Sequence, residues 1–309
     1  MVKVKIRRIK TFRSKLLLFT IIGIAASGLL LLFGRISIQT RDVQFYPSLS
    51  SDWTTEDTSI KLHGRFYYPL FFDSSVKYPS VIMFHGRGRT LEDNDYFARK
   101  LAIMGILTFS ISFRGHGSSE GEFDVETTNA NVTYGDGLGA YRYLTEQSFV
   151  DPNKIMAHGT SMGGGVSVYL ALNNLTSIFV VWYPALGYIW GNTPLYQYNF
   201  TKTAYKGYIL AGTADECGSC LPAYNQEFIE NNPTVDIFWL QGATHTDSSF
   251  FFQCIDLSTQ YISDSWNILP SNWLQDIYIN GILAAIVASI VILLDISWII
   301  IHKFKKRSK

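Results

Sequence analysis

The 309-residue chain predicts an α/β protein, a mostly parallel sheet with helices on both faces. Two observations carry this. Apolar runs of five to seven residues, such as Tyr78–Phe84 and Ser177–Tyr183, alternate with segments of helical length, as expected of strands buried on both sides. A glycine-rich turn, Gly159–Gly163, joins one such run directly to an apolar helix.

The elements follow in order. Thr58–Tyr68 alternates like a strand and ends near Pro69. Tyr78–Phe84 is a short strand leading into His85-Gly86, and Leu91–Met104 has the spacing of a helix. Ile106–Phe113 reads as a strand that ends in the loop Arg114-Gly115-His116-Gly117. Thr128–Gln147 reads as a helix, and Asp151-Pro152 is expected to break the chain before the strand Lys154–His158. Val166–Leu172 is a buried helix, and Ser177–Tyr183 and Gly207–Ala211 are buried strands. Pro222–Asn231 looks helical, Val235–Leu240 is the last strand, and a helix begins at about Ser248.

The charge pattern divides the chain. The first fifteen residues carry seven Lys/Arg and the last seven carry five. Between Arg35 and Asp276 there are 14 basic and 24 acidic residues, a net of −10. No basic surface is available there to neutralise phosphates, which excludes nucleic acid as a partner. Leu16–Gly34 is uncharged and long enough to span a bilayer. Its apolar run continues through Leu29–Phe33, longer than a cleavable signal core, so an uncleaved anchor is expected. A second apolar stretch runs from about Ile277 to Ile301 and ends in Lys303-Phe304-Lys305-Lys306-Arg307. Both basic flanks favour the cytoplasmic side. The expected organisation is therefore a cytoplasmic tail (1–15), a transmembrane helix (16–34), an extracytoplasmic domain (35–275), a second transmembrane helix (276–301) and a cytoplasmic tail (302–309). Asp295 lies within the second span, about two helical turns before Lys303, and is expected to sit hydrated or paired near the inner interface.

Candidate chemistry centres on Gly159-Thr160-Ser161-Met162-Gly163. A serine between two glycines at a strand-to-helix turn is a nucleophile elbow, in which the tight turn lifts the hydroxyl clear of the backbone. A hydroxyl is a poor nucleophile near neutral pH, so Ser161 needs a base, and the base needs an orienting carboxylate. In a parallel sheet such groups gather after the carboxyl ends of strands. Asp215 follows the strand ending in Ala211-Gly212, and His245 follows the last strand. The order Ser161, Asp215, His245 is the one this elbow predicts. The other five histidines stand before the serine or beyond the second apolar stretch. Charge developing on a carbonyl oxygen needs backbone donors. The expected donors are Met162 N–H and Arg87 N–H, with Gly86 as second choice for the latter. Arg114–Ser118 is read as a structural loop at the same edge.

A structural disulfide between two of Cys217, Cys220 and Cys254 is expected in an extracytoplasmic domain, its pairing open. Cys217-Gly-Ser-Cys220 lacks a second cysteine or histidine pair in sequence, which argues against zinc or redox roles. No metal or organic cofactor is expected. Sequons at Asn131, Asn174 and Asn199 permit glycosylation.

His85-Gly86, Arg114–Gly121, the Ser161 elbow, Gly212-Thr213-Ala214-Asp215 and Thr244-His245 together resemble the α/β-hydrolase superfamily, over about Val43 to Tyr261. Within it the chain is similar to the dienelactone-hydrolase, monoacylglycerol-lipase and prolyl-oligopeptidase-like groups. The resemblance implies an α/β-hydrolase fold and a serine hydrolase with Ser161 as nucleophile, His245 as base and Asp215 as orienting acid. The expected substrate is a small acyl ester or a lipid-like ester. A peptidase, an acyltransferase and a catalytically silent membrane scaffold stay open as alternatives. Only 54 residues separate Ser161 from Asp215, which leaves room for no large cap. The aromatic stretch Tyr188–Tyr205 is the candidate for a small lid.

Overall fold

The computed structural model describes residues 38–49, 55–70, 72–123, 130–190, 192–200 and 206–268. Both expected transmembrane spans, Asp295 and the two basic tails lie outside these residues. Among the described residues no helix is long and apolar enough to cross a membrane.

The strands are β1 (Thr40–Phe45), β2 (Leu62–Tyr67), β3 (Tyr78–Phe84), β4 (Leu107–Ile111), β5 (Val150–Thr160), β6 (Ile178–Trp182), β7 (Ile189–Trp190), β8 (Thr193–Pro194), β9 (Lys206–Gly212) and β10 (Val235–Leu240). The α-helices are α1 (Asp95–Ile103), α2 (Ala130–Thr145), α3 (Met162–Leu172), α4 (Pro222–Asn231) and α5 (Phe251–Trp266). Eight strands form one sheet in the order β1-β2-β4-β3-β5-β6-β9-β10. β2 pairs antiparallel with both β1 and β4, and β4, β3, β5, β6, β9 and β10 run parallel. The two-stranded ribbon β7-β8 stands apart from this sheet.

Burial on both faces explains the unbroken apolar runs. Val81, Ile82, Met83 and Phe84 on β3 are wholly buried, and each such side chain contributes about 1.5–3 kcal/mol relative to exposure. One face of the sheet packs against Tyr134 and Leu138 of α2, Val166 and Tyr169 of α3 and Phe228 of α4. The other packs against Phe97 and Leu101 of α1 and Ile255 and Ile262 of α5.

Several boundaries differ from the sequence expectation, as where the strand expected from Thr58 begins at Leu62, and two of the differences have a clear local cause. β5 begins at Val150 and runs through Pro152, because its pairing with β3 shifts register between Tyr78 and Ser80; such an irregularity tolerates a proline that lacks the N–H of a regular ladder. The helix expected from Leu91 opens as a 3₁₀ turn, Leu91–Asn94, before α1 starts. That turn is held by a capping box in which Asp93 accepts the Thr90 N–H.

Candidate active site

All parallel strands end at the same edge of the sheet, and the predicted site residues sit in the loops that leave that edge. Ser161 joins β5 to α3 with φ 54° and ψ −115°, a sparsely populated conformation for a residue with a Cβ. Its backbone is held from three sides: its N–H donates to Trp182 O at 2.9 Å, and its carbonyl accepts from Gly165 N–H at 3.1 Å and Ala185 N–H at 2.9 Å. The flanking glycines are there because strand and helix nearly touch. A Cβ on Gly159 would lie 2.2 Å from the Gly163 carbonyl carbon, and one on Gly163 would lie 2.4 Å from the Phe84 carbonyl oxygen. Met162 is the first residue of α3, so its N–H has no partner within the helix.

Asp215 and His245 come together because the loops after β9 and β10 are stitched to each other. Thr213 N–H donates to Leu240 O, and Ala214 N–H to Ala243 O. Gly242 N–H donates to Thr213 Oγ1 at 2.8 Å. His245 Nδ1–H then donates to Asp215 Oδ2 at 2.9 Å, and the Ser161 hydroxyl donates to His245 Nε2 at 2.9 Å. Asp215 is buried, and its other oxygen accepts Cys217 N–H at 2.9 Å. Burial of the His245 ring works against its charge, but the hydrogen bond and charge of Asp215 outweigh it and hold the imidazole above the usual histidine range.

Two further histidines brace the loop that carries the expected second backbone donor. His85 Nε2 accepts Phe113 N–H at 3.0 Å, and its Nδ1–H donates to Gly86 O at 2.7 Å. His116 Nε2 accepts Gly88 N–H at 3.1 Å. The loops after β3 and β4 are thereby fastened to each other around Gly86-Arg87-Gly88. Arg114 is tied to the wholly buried Asp136 of α2 through its backbone N–H (3.0 Å) and guanidinium (2.9 and 2.6 Å). The Arg114–Ser118 loop is therefore a brace, as its sequence suggested. A Cβ on Gly86 would stand 3.5 Å from Ser161 Cβ, so this loop passes directly beside the serine.

Ser161 and His245 open onto a cavity of about 870 Å³ whose wall includes Gly86, Arg87, Tyr188 and Phe251. Of the stretch expected to form a lid, Tyr188 and Ile189 reach this cavity. The following residues are packed into the body: Leu195 is buried, Tyr196 stacks on Tyr224 at 4.4 Å, and Phe200 N–H donates to Asn232 Oδ1. That segment is a packed connection because α4 offers it aromatic and amide partners.

The cysteines depart from expectation. No disulfide forms; Cys217, Cys220 and Cys254 are all thiols. Cys254 is buried on α5, whereas Cys217 and Cys220 occupy one turn closed by Cys220 N–H to Cys217 O at 2.8 Å. The two sulfurs face each other across this turn, and that proximity brings the Cys217 thiol down to about 5 and pushes Cys220 up, burial adding to the latter. Cys220 Sγ is 3.9 Å from Ser161 Oγ. Sequence reading did not connect this pair to the site, although its place two residues after Asp215 was a usable signal.

Comparison with known proteins agrees with this architecture. Residues 77–206 match the family model described as Hydrolase_4: Serine aminopeptidase, S33. Esterase 2 of Thermogutta terrifontis superposes with a TM-score of 0.57 at 16% identity, covering 71% of this chain and 94% of that one. The chain has the α/β-hydrolase fold. A putative dipeptidyl aminopeptidase IV from Bacteroides ovatus also superposes with a TM-score of 0.57, at 18% identity, covering 73% of this chain and 36% of that one. Among curated proteins, the uncharacterized protein YcjY of Escherichia coli is 28% identical over 121 residues, a match spanning 39% of each chain. The chain thus shares its fold with an esterase and with a putative dipeptidyl aminopeptidase, and the site must decide between the two chemistries.

Proposed function

We propose that the protein is a membrane-anchored serine hydrolase that cleaves carboxylic esters through an acyl-enzyme on Ser161. The observation that carries this reading is the continuous hydrogen-bonded line Asp215–His245–Ser161, with both links at 2.9 Å, ending at a cavity. In the first half-reaction Ser161 Oγ attacks the ester carbonyl as His245 Nε2 takes the hydroxyl proton. The Asp215 carboxylate holds the ring in the tautomer with hydrogen on Nδ1 and stabilises the imidazolium. Met162 N–H, together with Arg87 N–H or Gly86 N–H, receives the oxyanion. His245 returns the proton to the leaving alcohol, and water then deacylates the enzyme by the same route.

The peptidase reading draws support from the family description and the Bacteroides ovatus structure. An aminopeptidase needs a free acid to bind the substrate amine. Of the carboxylates on the cavity wall, Asp93 is engaged by Thr90 N–H and Asp247 by Ser249 N–H and Oγ. Both cap the turns that carry them, Asp247 through Oδ1 alone, so an amine would have to share a capping carboxylate, whereas the ester reading needs no such group. The test is steady-state hydrolysis of p-nitrophenyl esters of increasing acyl length beside aminoacyl p-nitroanilides. The ester reading expects esters to be cleaved with kcat/KM at least a hundredfold higher; the reverse order would replace it with the peptidase. The membrane part of the proposal rests on the two apolar stretches and their basic flanks. Tags at both termini should be digested by protease added to the cytoplasmic side, and the 35–275 domain should not.

A further inference from the structure

Within the site lies a set of side chains that ester hydrolysis does not use. Cys217 Sγ, Cys220 Sγ and one ring nitrogen of His245 all lie within 4.8 Å of one another. We propose that these three atoms form a binding site for a soft divalent cation of the zinc class, and that loading it switches the hydrolase off. The site goes beyond the ester reading; its off-switch consequence rests on that reading.

Four features support it. The ligand chemistry is selective: two thiolates and an imidazole suit zinc or cadmium and do not suit magnesium or calcium. The spacing is right. A tetrahedral zinc with Zn–S near 2.3 Å and Zn–N near 2.0 Å separates its ligand atoms by roughly 3.4–3.8 Å, so the observed cluster needs to contract by about 1 Å. The Cys217–Cys220 turn also has the C-x2-C form that places two sulfurs on one side of a loop. The third feature is the support behind the ligands. His245 Nδ1–H is engaged by Asp215 Oδ2, which leaves Nε2 as the metal-binding nitrogen. Asp215 Oδ1 accepts the Cys217 N–H, so one buried carboxylate steadies two of the three ligands. A carboxylate behind a ligating histidine is the usual outer-shell arrangement of zinc sites. Finally, a fourth position is available. Ser161 Oγ stands 2.9 Å from Nε2 and 3.9 Å from Cys220 Sγ, and the site faces the cavity.

Binding forms two metal–sulfur bonds and one metal–nitrogen bond, and the protons of both thiols go to water. The Nε2 lone pair is then occupied and cannot accept the Ser161 proton, so the serine loses its base. Sequence reading set zinc aside because no histidine pair accompanies Cys217 and Cys220. The missing ligand stands 25 residues beyond Cys220, and the stitched loops after β9 and β10 bring it in.

The test uses the full chain in detergent, reduced with a phosphine and stripped of metal, and titrated with Co²⁺. One equivalent should produce a sulfur-to-cobalt charge-transfer band in the near ultraviolet and visible bands of tetrahedral intensity, and Zn²⁺ should abolish both. Cys217→Ala and Cys220→Ala should each weaken binding at least tenfold, whereas Cys254→Ala should bind like the parent. In parallel, fluorophosphonate labelling of Ser161 should fall at least tenfold as Zn²⁺ loads and return with chelator; in the double Cys217→Ala, Cys220→Ala chain, Zn²⁺ should not change labelling relative to that chain's own metal-free rate. Absence of the charge-transfer band overturns the site. A band with unchanged labelling overturns the off-switch. Metal-free protein that never labels overturns the serine-hydrolase reading and the off-switch together, while the cobalt spectrum still decides the ligand set.

Discussion

Replacing Asp215 by asparagine should abolish ester hydrolysis almost as completely as removing the carboxylate altogether. The reason lies in the two bonds that Asp215 makes. Its Oδ1 accepts the Cys217 N–H at 2.9 Å, and its Oδ2 accepts His245 Nδ1–H at 2.9 Å. In Asp215→Asn the amide oxygen must face Cys217, because an N–H needs an acceptor. The amide NH₂ is then aimed at His245 Nδ1, which has to accept. The ring proton moves to Nε2, the atom that must take the proton from Ser161. The same inversion of tautomer in other Ser-His-Asp sites costs about 10⁴ in kcat, roughly 5.5 kcal/mol of barrier. The residual activity should also shift in pH. With the carboxylate gone, burial acts on the ring without the offsetting charge, so the acid limb should move to lower pH than in the parent. The assay is p-nitrophenyl butyrate hydrolysis from pH 5 to 9, with thermal melts to show that the variant is folded. A folded Asp215→Asn variant retaining more than about a tenth of the parent kcat would refute the role given to Asp215.

The parent enzyme itself should lose activity on acidification through an apparent pKa above the ordinary histidine value of 6.5, since neutral His245 is the active form and its folded pKa is raised; a flat kcat/KM between pH 5 and 8 would exclude His245 as base. Asp136→Ala should cost about 3–5 kcal/mol, because it strands the largely buried Arg114 guanidinium, and thermal melts should fall by roughly 6–20 °C. The double change Asp136→Leu with Arg114→Met should melt higher than Asp136→Ala, because burial outweighs Arg114 and already raises the Asp136 carboxyl. His85 and His158 are buried with pKa values lowered to about 4, burial being the main cause. The unfolded chain binds these protons from about pH 6.5 downward and the native state does not. Stability should therefore fall as pH drops from 6.5 to 4, by about 3 kcal/mol per ring, and a urea midpoint unchanged between pH 7 and 4.5 would contradict it.

How much of this was legible in the sequence depended on how local the cause was. β3, α4 and β10 were bounded correctly because their signals are local. Pro222 sits at the first helical position and Pro233 follows the helix end, the usual punctuation of a helix. β1 was not seen, since Thr40, Arg41 and Asp42 are exposed and the strand exists through its pairing with β2. The line Ser161, Asp215, His245 was readable because parallel strands deliver their loops to one edge, so strand ends alone locate the candidates. The bracing by His85, His116 and Asp136 was not readable. It depends on which loops touch across the edge, and no spacing rule encodes that. The nearness of Cys217 to the site was legible from its place two residues after Asp215, but the closeness of both cysteines to His245 depends on the same loop contacts.

Labelling of the reduced, metal-free full chain with a fluorophosphonate probe, beside Ser161→Ala, tests the central claim most directly. The account predicts one covalent adduct per chain, mapped by mass spectrometry to Ser161, formed faster above the His245 pKa than below it and absent from the folded variant. Folded protein that stays unlabelled, or labelling that persists in Ser161→Ala, would contradict it.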